Sequence, residues 1–351
     1  MDSLKIQAFL LRSIGVAVLA SLLAFPLSGD DGHASVGAGG ITLTKESRIL
    51  MKKEKLSIGM QKVSVEFEFL NESATGISTD VAFPIPAYQW PYLGSERIPN
   101  FPDFRVWVDG VEIKYSTELR ATRNGHDYSA LLQQMGINIE TFGDFDVYEG
   151  GAQKPNQFLH LASPQLEQLR ANGLVDLQKD GSYTPHWGVS KMYYWAQSFP
   201  AGKVVHIRHE YTPVSGAAEI PAEYFNQKYR IRKVQPTNSN ASGEEYAKNI
   251  AESIENACTD LTLQKRLSTH NRSGLVFMDY VNYVLVSANT WKTPIRQFEL
   301  VVDKTNAWGK EPVFVSFCWD GPVDQIDPTH FSARKTDFIP TKDIAIYFFR
   351  K

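Results

Sequence analysis

Along residues 63–69, Val, Val, Phe and Phe alternate with Ser, Glu and Glu, the two-residue period of a strand with one buried and one wet face. Asn71-Glu72-Ser73 supplies a turn, and residues 77–83 read as the returning strand. Pro84-Ile85-Pro86 stops it, because proline has no N–H to donate to a ladder. Residues 104–108 and 111–115 flank Asp109-Gly110, the strongest short hairpin signal in the chain. The densest pattern lies at 185–216. Two extended runs, 189–199 and 203–212, flank Pro200-Ala201-Gly202, where Pro suits the second position of a type I turn and Gly supplies a left-handed residue. The pattern predicts a β-hairpin in which Gln197, Trp195, Tyr193 and Lys191 face Val205, Ile207, His209 and Tyr211 on one side.

Between 123 and 181 the period changes to helix and loop. Ser163-Pro164, residues 165–172 and Gly173 give an N-cap, a proline at the first helical position and a glycine stop. Residues 128–135 form a weaker helix. After a polar break at 237–243, Tyr246, Ile250 and Ile254 repeat at helical spacing, a second short helix follows at 260–267, and strands resume from 275. The fold class is therefore mainly β with α insertions: two antiparallel β-sandwich-like units, a helical insertion at about 123–181 in the first and a helix pair leading into the second. The expected domains are 37–236 and 243–351.

The first residues change this picture. Lys5 and Arg12 precede a short apolar run and then Pro26, small residues and Asp30-Asp31, the layout of a secretory signal peptide at 1–29, with cleavage after Gly29 or as late as Ala34. An uncleaved N-terminal anchor is the only expected membrane contact. Two cysteines, Cys258 and Cys318, fit an oxidising compartment and one disulfide, with two separate buried thiols as the alternative. The net charge of −3 comes from intermixed acids and bases, and no basic stripe points to nucleic acid.

Several segments occur here in one order: Gly39-Gly40-Ile41, Phe69-Leu70-Asn71 leading to Phe83-Pro84-Ile85-Pro86, Tyr193-Tyr194-Trp195-Ala196-Gln197-Ser198-Phe199-Pro200-Ala201-Gly202, His209-Glu210-Tyr211-Thr212-Pro213, Trp291-Lys292-Thr293-Pro294-Ile295, Val302-Asp303-Lys304, Val315-Ser316-Phe317-Cys318 and Thr336-Asp337-Phe338-Ile339-Pro340. Together they resemble the bacterial exported proteins grouped as domain-of-unknown-function family 4424. The resemblance covers nearly all of the chain after the leader. It implies a periplasmic or extracellular bacterial location and carries no activity, so no catalytic residue transfers. Residues 67–86 alone are also similar to the opening of the interaction domain of vault proteins and inter-alpha-trypsin inhibitors, which implies a β-sandwich used for association.

Candidate chemistry is sparse. His206 and His209 are three apart, a spacing that shares a face on a helix but splits across a strand, so no metal site is assigned. Trp187, Tyr193, Trp195, His209 and Tyr211 form the candidate ligand platform, against the alternative that the aromatics fill a core. Asp144, Asp146 and Glu149, and Asp320 with Asp324, are loop carboxylates without a defined separation. No G-x-S-x-G, phosphate loop or dinucleotide fingerprint is present, so no catalytic residue and no cofactor are assigned. The reading is a non-catalytic binding or organising protein of the cell envelope whose partner is an envelope protein or glycan. The alternative is a hydrolase of envelope glycan or peptide.

Overall fold

The computed structural model describes residues 32–37, 40–89, 103–143, 148–149, 152–153, 157–179, 181–213, 215–234, 241–269, 274–305 and 313–350. The expected signal peptide at 1–29 lies outside them, as do Asp144 and Asp146.

The protein is mainly β, with several antiparallel sheets and few helices. β1 (Gly32–Gly37) and β2 (Gly40–Leu43) form one hairpin, β3 (Ile49–Gly59) and β4 (Val63–Asn71) another. β5 (Ile77–Gln89), β6 (Arg105–Val108) and β7 (Ser116–Arg123) follow. Asp109-Gly110 closes β6 onto Val111–Glu112 with both residues in the left-handed region (φ 48° and 82°), as two-residue hairpin loops require. The insertion then carries α1 (Ser129–Gln134) and α2 (Ser163–Ala171), within the expected positions. The N-cap of α2 is Ala162 rather than Ser163, because the Gln165 side chain accepts from the Ala162 N–H at 2.9 Å and starts the helix one residue earlier.

β8 (Gly188–Phe199) and β9 (Val204–Tyr211) have the expected limits, but they do not pair. β8 lies between β5 and β7 in a six-stranded sheet, and β9 lies between β4 and β6 in an eight-stranded one. Residues 200–202 therefore arch from sheet to sheet, and the expected hairpin is corrected. β4 and β5 are split between the same two sheets, so the turn at Asn71 is a second arch. The residues expected on one side do share a face: Lys191, Tyr193, Trp195 and Gln197 from β8, and Val205, Ile207, His209 and Tyr211 from β9, are all buried, with Val189 and Phe199 beside them. They meet across the interface as the facing layers of a sandwich, with Trp195 edge-on to His209 at 5.3 Å between ring centroids and Phe199 edge-on to Phe69 at 5.9 Å.

Asn71 joins the two arches. Fully buried, it donates through Nδ2 to the carbonyls of Thr75 and Phe199, each at 2.8 Å, and accepts through Oδ1 from the Ser73 N–H at 2.9 Å. Its own carbonyl accepts from the N–H of Gly202, whose φ of +64° is the left-handed residue the sequence called for.

The rest of the chain is β10 (Ser215–Pro221), α3 (Gln227–Val234), α4 (Ala241–Asn256), α5 (Leu261–Thr269), β11 (Leu275–Tyr283), β12 (Ile295–Asp303), β13 (Phe314–Ser316), β14 (His330–Phe338) and β15 (Ile344–Arg350). β12 pairs parallel with β3, setting Leu300 opposite Leu56, and β14 extends the sheet beyond it. The eight-stranded sheet thus draws strands from both sides of residues 237–243. A four-stranded sheet in the order β10-β11-β15-β13 sends Val281, Tyr283, Ile344, Ile346 and Phe348 into the main core. Its other face sends Val276, Met278 and Phe349 to a second core with Ile250 and Ile254 of α4. Cys258, between α4 and α5, is joined to Cys318, 60 positions further along the chain, with Cα atoms 5.1 Å apart. Such a crosslink is worth about 4 kcal/mol in the chain-entropy account.

Replacing Asn71 by Leu removes four hydrogen bonds, each worth about 1 kcal/mol or less, and takes their Asn71 partner from the Phe199 carbonyl and the Ser73 N–H, while the exposed Thr75 carbonyl keeps the Ser73 hydroxyl. Urea unfolding of Asn71→Leu is expected to show a loss of about 3 kcal/mol. A loss below about 1 kcal/mol would show that the arches hold without it.

Candidate functional site

The five residues of the expected platform sit inside the sandwich. None of Trp187, Tyr193, Trp195, His209 and Tyr211 is more than 4% exposed, so no ring face among them is open to a ligand. The alternation that exposes one face of a strand buries the other, and these rings are on the buried one. Phe104 stacks on Tyr193 at 3.9 Å, and Phe83 lies edge-on to Tyr211 at 5.6 Å. Burial raises the Tyr193 hydroxyl's pKa well above the usual tyrosine range. His206 and His209 point to opposite faces of β9, the first outward and exposed, the second fully buried.

His209 has Phe83 at 4.8 Å, Trp195 at 5.3 Å, Phe104 at 5.4 Å and Phe67 at 5.7 Å between ring centroids. Removal from water disfavours the imidazolium and lowers the pKa to about 3. The unfolded chain, with an ordinary histidine near 6.5, takes up this proton first as pH falls. The stabilising contribution is therefore complete above about pH 6.5 and is lost as pH drops towards 3.

Trp187 leads to a different place. Together with Tyr88, at the end of β5, it ends the sandwich on the side away from the arches, and there the insertion packs. Phe142 and Phe158 lie 5.6 and 6.2 Å from Trp187, whose Nε1 donates to the Ile139 carbonyl at 3.2 Å. Lys191, nearly buried, is held by Glu140 of the insertion at 2.5 Å. Beside this packing a cleft of about 420 Å³ opens between the ends of β5, β7 and β8. Gln89, Thr122, Arg123, Asn124 and His186 bring polar groups to its walls. Gly188 makes part of the room: a Cβ there would come 3.8 Å from both Gln89 Cγ and Thr122 Oγ1. Of the lining residues, His186 has its Nε2 2.8 Å from Oδ2 of Asp176, which lies outside the lining on the Val175–Leu177 strand.

A second hollow, of about 240 Å³, lies on the outer face of the eight-stranded sheet and includes Lys53, Glu66, Trp107, His206 and Arg208. Arg208 covers the Trp107 ring at 3.8 Å and Arg105 lies 4.6 Å from its centroid. Both arginines are already matched, Arg208 by Glu210 at 2.7 Å and Arg105 by Glu112 at 2.6 Å. Its aromatic surface and its charge are therefore spent within the sheet, which makes the Trp187 cleft the better candidate site of the two. Sequence reasoning marked Trp187 but not Arg123, Gly188 or His186. The only local signal for the cleft was the Pro185 to Gly188 approach to β8.

The family model for DUF4424, a domain of unknown function, matches residues 29–347. Among solved structures, the chain is similar to a candidate nutrient-binding protein of Legionella pneumophila, with 13% identity, 92% of this chain and 72% of that one covered, and a TM-score of 0.39. It is also similar to an M1 zinc metallopeptidase of Deinococcus radiodurans, with 8% identity, 87% and 43% covered, and a TM-score of 0.24. Likenesses this distant decide nothing about the site. No curated protein matches the chain.

His209 makes one measurement decisive for the core. Between pH 7 and pH 5, urea unfolding is expected to show a loss of about 2 kcal/mol. In His209→Leu the slope over that interval should flatten, whatever the variant's absolute stability; an unchanged slope would place the titration elsewhere.

Proposed function

The chain belongs to the domain-of-unknown-function family DUF4424 over nearly its whole length, and on that premise we propose that it is an exported bacterial protein that binds a small polar ligand in the Trp187 cleft. The observation that carries this reading is the cleft itself: a hollow within the size range of small-molecule sites, built at the ends of three paired strands and lined by convergent hydrogen-bonding groups. A free small molecule or the terminal unit of an envelope glycan fits those dimensions. The His186–Asp176 pair is the feature that favours the alternative, a hydrolase with His186 as base and Asp176 orienting it. Asp176 is exposed and outside the cleft lining, and no hydroxyl or thiol among the described residues is hydrogen-bonded to His186, so binding is the better-supported reading.

Export is supported by the leader pattern of the first residues, by the Cys258–Cys318 bond and by the described residues, among which no helix is long and apolar enough to cross a membrane. β1 bears on the cleavage point. Among the described residues it pairs with β5 through Gly32, His33 and Ala34 alone, and β2 pairs with β1 alone. Cleavage after Ala34 would detach both strands, whereas cleavage after Gly29 keeps them.

Mass spectrometry of the protein secreted by its own host is accordingly expected to give an N-terminus at Asp30, and one at Ser35 would contradict the pairing. For the ligand, Gly188→Val is the informative variant, since its Cβ meets only ordinary contacts and its side chain fills the cleft floor. A thermal-shift panel of hexoses, amino acids and dicarboxylates should contain a compound that raises Tm by about 2 °C or more in the wild type and not in Gly188→Val. If no compound separates the two proteins, the cleft is not the site.

A further inference from the structure

We propose that the cleft recognises an anion, with Arg123 holding a carboxylate of the ligand; this rests on the cleft being the binding site and adds the charge of what it binds. Arg123 ends β7, immediately before the Asn124-Gly125 turn, whose residues both have positive φ (50° and 78°). Its guanidinium is held from two sides. Nη1 donates to the His186 carbonyl at 2.5 Å, and Nε lies against Gly173, where a Cβ would approach it to 3.3 Å. Nε is closed off from solvent and has no hydrogen-bond partner among the described residues.

The charge, unlike the position, is unmatched. Arg105, Arg208, Arg334 and Arg350 each have a carboxylate oxygen at 2.6 or 2.7 Å. Among the described residues Arg123 has no carboxylate within ion-pair distance, although it is half-buried and lines the cleft. The acid standing nearest in the network, Asp176, is engaged by His186. A guanidinium partly removed from water without a counter-ion is costly, and an incoming carboxylate offsets that cost. With Nε closed and Nη1 anchored, the edge formed by Nη1 and Nη2 is the part left to offer the paired N–H donors that carboxylates accept. Thr122 and Asn124 flank the arginine in the chain and line the same cleft, in position to hydrogen-bond the uncharged part of the ligand. The class that fits is a small organic acid bearing hydroxyl or amide groups, such as a sugar acid or a dicarboxylate.

Calorimetry on the disulfide-intact mature protein tests this with matched pairs: glucuronate against glucose, and succinate against succinamide. At least one acid is expected to bind about 10–100-fold more tightly than its neutral counterpart, and Arg123→Met to remove that preference. Arg123→Lys, which keeps the charge and loses the fork, should fall between them. Because the matched pairs are compared on the wild type, a poorly folded variant does not spoil the test. Neutral compounds that bind as well as the acids, in a manner abolished by Gly188→Val, would overturn the charge assignment and leave the cleft reading standing. No difference between wild type and Gly188→Val with any of the four would overturn both.

Discussion

Two of the places where the chain crosses from one sheet to the other share a single buried side chain. Asn71 ends β4, and its amide donates hydrogen bonds to both crossings, to the Thr75 carbonyl on the way into β5 and to the Phe199 carbonyl at the end of β8. An asparagine suits this because one planar group offers two donors and an acceptor, and here all three are used. A crossing loop cannot satisfy its own backbone as a hairpin does, since its two strands have other neighbours. The buried carbonyls of such a loop must be met by something, and a side chain at the start of one arch meets those of both.

With that end fixed, the inward residues of the two sheets are brought face to face, and large rings fill the space between. Phe67, Phe83, Phe104 and Trp195 surround a histidine whose protonation is disfavoured because the rings exclude water. The core does not stop at the midpoint of the chain: β12 adds to β3 and the four-stranded sheet contributes five side chains. The two halves therefore share one hydrophobic interior, and the disulfide fastens the helices that cover the far side of the four-stranded sheet.

At the opposite end of β5 and β8 the insertion packs against the sandwich with Phe142 and Phe158. Packing by a separate segment leaves a seam. The cleft lies along that seam, where strand ends supply polar side chains and Gly188 leaves space. Function is drawn to such junctions because the packed interior offers no open surface, while the charged outer face of the eight-stranded sheet matches its own acids and bases, as Arg334 does with Glu299 and Lys62 with Glu210.

Local patterns carried much of this protein. The alternation at 63–69, 189–199 and 204–211 identified the buried side chains correctly, because burial acts on each residue through the direction in which it leaves the strand. Proline and glycine placed α2, and two lone cysteines gave their pairing. α3 and β10 were missed: QKYRIRKV has little apolar period and SGAAEIP little β-propensity, and packing supplies what propensity lacks. What only the tertiary structure decided was which strand lies beside which. A hairpin and an arch have the same alternation and the same short loop, and the choice between them rests on neighbours contributed by distant segments: β5 and β7 for one strand, β4 and β6 for the other. The same holds for the site. Arg123 is one arginine among many in the sequence, and its character comes from Gly173, His186 and the lack of a paired acid among the described residues, relations between distant residues that no local period records.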